Sequence, residues 1–291
     1  MATDRAPNVP AQVFLVLFPA AVGCLLGSLV IDSTFATGAF SIAALTAAVV
    51  FAVAGAVAPL LCIKKPPRSY RFLSGLNRSF LSRQALLVGL FTVLLVIHWA
   101  LVLAANGVFA LGVVAAAVGG GAVFTIGLTY HLKSQPSWLH WSTLVSLVGG
   151  TLAVGVAAAQ IVASPWRDSF GESAGVISAR VLVLVGLGGL ALATVGRSLY
   201  LSRGGSRTQE IWTLTWEGHR GQHLSGAILV VVAAAAAAVA FAWPWAIIIA
   251  FISAWGAQAL QWRLFFVTGI PLSWKSDVRW SVPLEVVGKE G

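Results

Sequence analysis

The sequence predicts an all-α, polytopic membrane protein with eight transmembrane helices and both termini in the cytoplasm. Of its 291 residues, 58% are hydrophobic and only 9% are charged, whereas about a quarter of the residues in a soluble domain are charged. Uncharged runs longer than about 18 residues recur along nearly the whole chain, and about 20 helical residues cross a bilayer core. Barrel strands are much shorter and alternate in polarity, so these runs indicate helices.

The boundaries of the spans follow from the uncharged runs and from the turn residues between them. Asn106-Gly107 divides the third span from the fourth, and Pro244, between two tryptophans, divides the seventh from the eighth. We predict a single membrane domain, 1–291, with spans at roughly 11–31, 40–62, 84–105, 108–130, 138–162, 175–195, 223–241 and 245–266.

Glycine clusters inside these spans predict close contacts between helices. Gly119-Gly120-Gly121, Gly149-Gly150 and Gly186-x-Gly188-Gly189 each remove side chains from one stretch of helix. In lipid, small residues let two backbones approach each other, and a ligand cleft is the less favoured alternative.

The distribution of basic residues predicts the orientation. Of the 18 Lys and Arg residues, all except Arg167 and Arg180 fall on the side of the N-terminus. Cytoplasmic connections carry the excess of Lys and Arg, so both termini are expected to face the cytoplasm from a cell (inner) membrane. The net charge of +9 is explained by this topology and by contact with membrane lipid, and we predict no nucleic-acid partner.

The second connection, residues 62–84, is the most basic stretch and is called the basic loop here. It has no acidic residue and carries Lys64, Lys65, Arg68, Arg71, Arg78 and Arg83. Such a loop can fix topology and bind anionic lipid. Pro66-Pro67 followed by Arg68 and Arg71 also places two guanidinium groups on one face, and Ser82 can cap the next helix. Guanidinium, hydroxyl and amide donors at a membrane interface suit a polar ring with two carbonyl oxygens.

Other kinds of site receive little support. None of the Asp and Glu residues falls inside a predicted span, which disfavours an ion-driven transporter. The histidines form no depth-matched pair of the kind that ligates haem b; they are His98, His131, His140, His219 and His223. We therefore expect this chain to bind no haem and no metal.

The basic loop resembles the second connection of the membrane-anchor subunits of the dimethyl-sulfoxide reductase family. This family includes the anchors of cytoplasm-facing sulfite:quinone oxidoreductases. The agreement lies in Pro66-x-Arg68-x-Tyr70-Arg71 and in Ser79-Phe80-Leu81-Ser82-Arg83-Gln84. Tyr130-His-Leu-Lys133, with Trp138 and Trp141, and Gln261-Trp262-Arg263-Leu264-Phe265-Phe266 are similar to two further family elements.

Two positions depart from the family pattern. Cys62 stands where the family has a histidine implicated in quinol binding and proton transfer, and Gln84 stands where it has a glutamate. A thiol has an ordinary pKa of about 8.5. With Cys62 in place of the histidine, position 62 therefore has no group that titrates near neutral pH. Either another group such as Lys65 takes this function, or the chain handles quinone differently.

The resemblance implies a membrane-anchor subunit that binds quinone (menaquinone or ubiquinone). It would pass electrons between the quinone pool and an iron–sulfur subunit on the cytoplasmic side, with the main chemistry in a molybdopterin catalytic subunit. The implied quinone-binding residues are Arg68, Arg71, Arg83, Gln84, Tyr130 and Cys62, and the partner-docking residues are Lys64, Lys65 and Arg78. A haem b quinol subunit and a small-solute transporter remain the alternatives.

Overall fold

The computed structural model of the protein describes residues 9–31, 39–59, 80–104, 106–130, 140–166, 174–203 and 206–267. These residues form eight helices: α1 Val9–Ile31, α2 Ala39–Val57, α3 Phe80–Leu103, α4 Phe109–Thr129, α5 Ser142–Ala163, α6 Ala174–Arg203, α7 Ser206–Val239 and α8 Ala246–Val267. The all-α class is therefore confirmed over the described part of the chain.

Helix length and composition make the chain a multi-pass membrane protein. Within the described residues, seven helices, α1 to α7, are long and apolar enough to cross a bilayer. The last helix, α8, is equally long, but Gln258, Gln261 and Arg263 interrupt its second half. The helices also extend beyond the predicted spans: α6 continues to Arg203, and α7 begins at Ser206, well before predicted residue 223.

Helix α1 lies at the centre of the bundle. In its most apolar stretch, 83% of the residues are buried, against 72% for α5 and no more than 39% for any other candidate span. It packs against α2, α4, α5, α6 and α8. The outer helices instead leave large apolar side chains exposed, such as Val185, Ile228 and Ile252. Apolar side chains on the outside of the bundle are what a surface in contact with lipid requires.

The backbones of α1 and α5 touch where they cross. A methyl group on Gly155 would lie 2.5 Å from the carbonyl oxygen of Ala20 and from the Cα of Gly23. One wide turn of α5, Thr151–Gly155, has π-helical geometry at this crossing. Such turns frequently mark places where a helix adapts to a close neighbour or a site.

The predicted glycine contacts are confirmed at some positions and wrong at others. Gly149 packs against the backbone of α6 at Gly186, and Gly150 packs against the side chain of Gln258. Gly120 and Gly188, in contrast, have no neighbouring atom within 4 Å of a Cβ position. A helix has one buried face only, so consecutive glycines cannot all lie in an interface.

Gly155→Ala should therefore destabilise the bundle, because its methyl group would overlap the α1 backbone. We expect the free energy of unfolding to fall by about 1–3 kcal/mol or more, measured as a lower thermal midpoint in detergent. The control is Gly120→Ala, which adds the same methyl group to open space and should leave the midpoint unchanged or raise it. Equal losses in both variants would contradict the α1–α5 contact.

Candidate functional site

A polar cavity opens between α5, α6, α7 and α8, at the end of the bundle where α5 begins and where α6 and α8 end. We call it the α5–α8 cavity. It encloses about 510 Å³ of empty space when the open solvent at its partly open mouth is included. Its lining consists of Ser142, Thr143, Ser146, Ala193, Thr194, Arg197, Ser198, Leu201, Trp212, His223, Gln261, Trp262, Leu264 and Phe265.

Gln261 connects three of the four helices at this cavity. The Ser146 hydroxyl of α5 donates a hydrogen bond of 2.7 Å to Oε1 of Gln261. The amide Nε2 of Gln261 in turn donates to Oγ1 of Thr194 and to the carbonyl oxygen of Leu190, both on α6. Because Gln261 uses both ends of its amide, it fixes the spacing of α5, α6 and α8 around the cavity.

Arg197 supplies the positive charge of the site. Its guanidinium carbon lies 5.0 Å from the centroid of the Phe265 ring, within the range of a cation–π contact. Within the described residues, Arg197 is the one Lys or Arg in the lining, and no carboxylate lines the cavity. The site therefore favours ligand groups that accept hydrogen bonds, such as carbonyl oxygens.

The α7 side of the cavity depends on a kink at His219. This residue has φ −134° and ψ 21°, which breaks the helical geometry. Trp212, before the kink, and His223, after it, both line the cavity. Trp212 stacks on Trp216 at 5.0 Å, and both indoles lie 5.4 Å from the His223 ring. The kink thus brings two parts of one helix to a single site.

Two polar atoms in this lining are buried without a hydrogen-bond partner in the described part of the chain. They are Nε1 of Trp262 and Nε2 of His223. Trp262 as a whole is only 2% exposed. Leaving a buried polar group unsatisfied costs about 1–3 kcal/mol, so both atoms point to a polar ligand or water in the cavity.

Among the predicted site residues that the structure describes, Tyr130 packs against a residue of this cavity's lining. Its ring packs edge-on against Phe265 at 5.5 Å and against Phe266 at 6.1 Å. Burial raises the pKa of Tyr130 to about 12, because the charged phenolate is less well solvated than the neutral phenol. At physiological pH, Tyr130 is therefore a neutral phenol with an O–H to donate, and Phe265 separates its ring from the cavity.

Of the remaining predicted residues, the two that the structure describes, Arg83 and Gln84, do not line the α5–α8 cavity. Arg83 is exposed and Gln84 is buried in the first turns of α3, which packs chiefly against α4 and α2. The rest of the predicted quinone-binding and docking set lies outside the described residues, namely Cys62, Lys64, Lys65, Arg68, Arg71 and Arg78. Their placement stays a prediction.

Sequence reasoning missed Arg197, Trp212, His223 and Trp262 as site residues. Three of them fall in or beside residues 196–222, which the prediction assigned to a connection because charge returns there. The spacing of Trp212, Trp216, His219 and His223 is the signal that was available, since steps of four, three and four residues mark one helical face.

Elsewhere, the described histidines occupy separate environments. His98 of α3 is fully buried and packs against Gly112 of α4. The His140 ring stacks on Tyr200 at 4.5 Å and accepts a hydrogen bond from the backbone N–H of Ser142. In the described ranges, no three His, Cys, Asp or Glu residues come together as metal ligands.

Two glutamines of α8 offer a matched test of the hydrogen bonds that Gln261 makes to α5 and α6. Gln261→Leu removes the bridge between Ser146 and Thr194, and we expect it to lower the free energy of unfolding by about 1–3 kcal/mol. Gln258 is fully buried, yet neither end of its amide has a hydrogen-bond partner within the described structure. Gln258→Leu should therefore be neutral or stabilising. The thermal midpoint of unfolding in detergent measures the stability of both variants. A larger loss of stability in Gln258→Leu than in Gln261→Leu would contradict the hydrogen-bonded bridge at Gln261.

No model of a known protein family matches this sequence, and no curated protein matches it either. What the helices establish is a multi-pass, α-helical membrane protein. The arrangement of the α5–α8 cavity is then the basis for proposing what the chain does.

Proposed function

We propose that this chain is the membrane-anchor, quinone-binding subunit of a multi-subunit molybdenum/iron–sulfur oxidoreductase, and that the quinone headgroup binds in the α5–α8 cavity. The observation that carries the proposal is the lining itself. It combines a guanidinium, Arg197, with an unpartnered indole N–H, Trp262, and with aromatic walls. A quinone ring is flat and apolar, and its two carbonyl oxygens accept hydrogen bonds.

Different residues of the lining would bind different parts of such a ring. Arg197 and Nε1 of Trp262 are the proposed donors to the carbonyl oxygens, because charged donors give the stronger hydrogen bonds. The rings of Trp212 and Phe265 supply flat apolar surface for stacking. Leu224 and Ile228, on α7 just beyond His223, are exposed on the surface of the bundle, and a lipid-soluble tail would extend along this face in a membrane.

The resemblance to the anchor family supports the same location. The stretch Gln261–Phe266 supplies Gln261, Trp262, Leu264 and Phe265 to the lining. Tyr130, which begins a second similar stretch, packs on Phe265 from the outside of the cavity. Two of the three stretches that carry the resemblance thus meet at one site.

In addition to the cavity, the basic loop is proposed to have the functions that the resemblance implies. Lys64, Lys65 and Arg78 are proposed to dock the iron–sulfur subunit on the cytoplasmic face, with the molybdopterin subunit beyond it. Cys62, Arg68, Arg71, Arg83 and Gln84 remain proposed contacts of a quinone near the membrane surface. When bound, a quinone would supply the carrier of electrons and protons, while this chain binds and orients it.

Arg197→Gln in the intact complex tests the cavity as the headgroup site. A charged hydrogen bond contributes about 1.5–3 kcal/mol, so quinone-linked turnover should fall by roughly 10- to 100-fold. Electron transfer from the soluble subunits to an artificial dye should be unchanged. The matched control is Arg263→Gln, because Arg263 is exposed at the same end of the bundle and does not line the cavity.

The same assay on Arg83→Gln separates the cavity from the basic loop. Selective loss of quinone activity in Arg83→Gln, with none in Arg197→Gln, would move the headgroup to the basic loop. Loss of both activities in Arg197→Gln would assign this residue to assembly instead of quinone binding.

The orientation is tested with single cysteines at two exposed positions, Asn106 between α3 and α4 and Arg203 at the end of α6. The background is Cys62→Ser, since Cys24 is buried. On intact cells, an impermeant maleimide should label Asn106→Cys and should label Arg203→Cys only after lysis. The reverse pattern would place the cavity and its partner on the outer face of the membrane.

A further inference from the structure

Moving electrons to or from a quinone requires a group that exchanges protons with its oxygens. Most polar groups that line the α5–α8 cavity cannot do this near neutral pH. Hydroxyls, the Gln261 amide and the indoles stay neutral, and Arg197 stays protonated. The exception among the described lining residues is His223, because a neutral imidazole nitrogen can accept a proton and release it again.

The His223 ring has one nitrogen that is buried and unpaired within the described residues. Trp212 and Trp216 lie against it, each at 5.4 Å between ring centroids. Its Nε2 atom is buried and has no hydrogen-bond partner in the described part of the protein. A ring fixed by aromatic contacts, with a nitrogen unsatisfied in a polar cavity, is arranged to bond with an occupant of that cavity.

The charges around His223 come from two helices. Arg197 faces it from α6, and His219 faces it from its own helix, α7. The lining residues that α5 and α8 contribute are hydroxyl, amide, indole and apolar side chains, none of which titrates near neutral pH. The described lining therefore has no carboxylate that could take a proton from His223, so the proton can leave this residue again.

We infer that His223 exchanges a proton at Nε2 with an oxygen of the quinone headgroup, an inference that rests on the proposed function. Oxidation of a quinol breaks two O–H bonds, forms two C=O bonds and releases two electrons and two protons. The electrons pass to an iron–sulfur centre of the partner subunit. Nε2 of His223 accepts one proton, and the other goes to water at the mouth of the cavity. In the reducing direction, the same two protons return and His223 donates.

The first test measures proton uptake and needs no turnover. The probe is a short-tailed hydroxynaphthoquinone, which is an anion at neutral pH, titrated calorimetrically into the full chain in detergent micelles. Repeating the titration in buffers of different ionisation enthalpy gives the number of protons taken up. Binding an anion beside a neutral imidazole favours its protonated form, so the wild-type chain should take up a proton from the buffer.

Two glutamine variants assign that proton. His223→Gln should still bind the probe but lose the proton uptake, whereas Arg263→Gln, which is exposed and does not line the cavity, should keep it. In the intact complex, His223→Gln should lower quinone-linked turnover by about 100-fold or more. Dye-linked activity and the Arg263→Gln control should be unaffected.

The outcomes separate this inference from the proposed function. Absence of probe binding in the wild type, or binding that survives Arg197→Gln unchanged, would overturn the site itself. Binding that depends on Arg197 with proton uptake intact in His223→Gln would overturn only the assignment of His223. Wild-type binding without proton uptake would overturn it as well, whatever the stability of the variants.

Discussion

The contact between the backbones of α1 and α5 constrains the rest of the bundle. In lipid there is little hydrophobic drive to bring helices together, so association depends on close packing and on hydrogen bonds. Gly23 and Gly155 allow the two most buried helices to touch. Once they do, α2 and α4 pack around α1, and α6 packs against α5. The hydrogen bonds of Gln261 also join α5, α6 and α8, at one end of the bundle.

The polar cavity of the described structure lies among its last four helices. The four helices α5 to α8 share the cavity with its hydroxyls, amide, imidazole and guanidinium, whereas the crossing of α1 with α4 is filled by apolar groups such as Phe91 and Val22 around Gly119. Buried polar groups in a membrane are expensive and are retained where they serve a function. Within the described residues, the polar cavity thus belongs to the last four helices, and the first four contribute the central helix α1.

The sequence was sufficient for the fold class and for part of the site. Long uncharged runs and the turn at Asn106-Gly107 define the helices, because a bilayer imposes both length and composition. The stretch that begins at Gln261 was singled out by resemblance, and it does line the cavity. Arg197 and Trp212 were missed because an apolar-run criterion ends a helix where charge returns, and His223 was considered only as a haem ligand. The α6 and α7 helices continue past that point, since backbone hydrogen bonds do not require lipid.

Arg197 differs from the other basic residues at its end of the bundle. Arg203, Arg220 and Arg263 are exposed, which is sufficient for residues that fix topology or bind lipid headgroups. Arg197 is instead held against the Phe265 ring in a cavity, and withdrawing a guanidinium from water costs free energy that topology alone does not repay. The aromatic contact offsets part of that cost. In the proposed function, a quinone oxygen would be one further contact of this guanidinium.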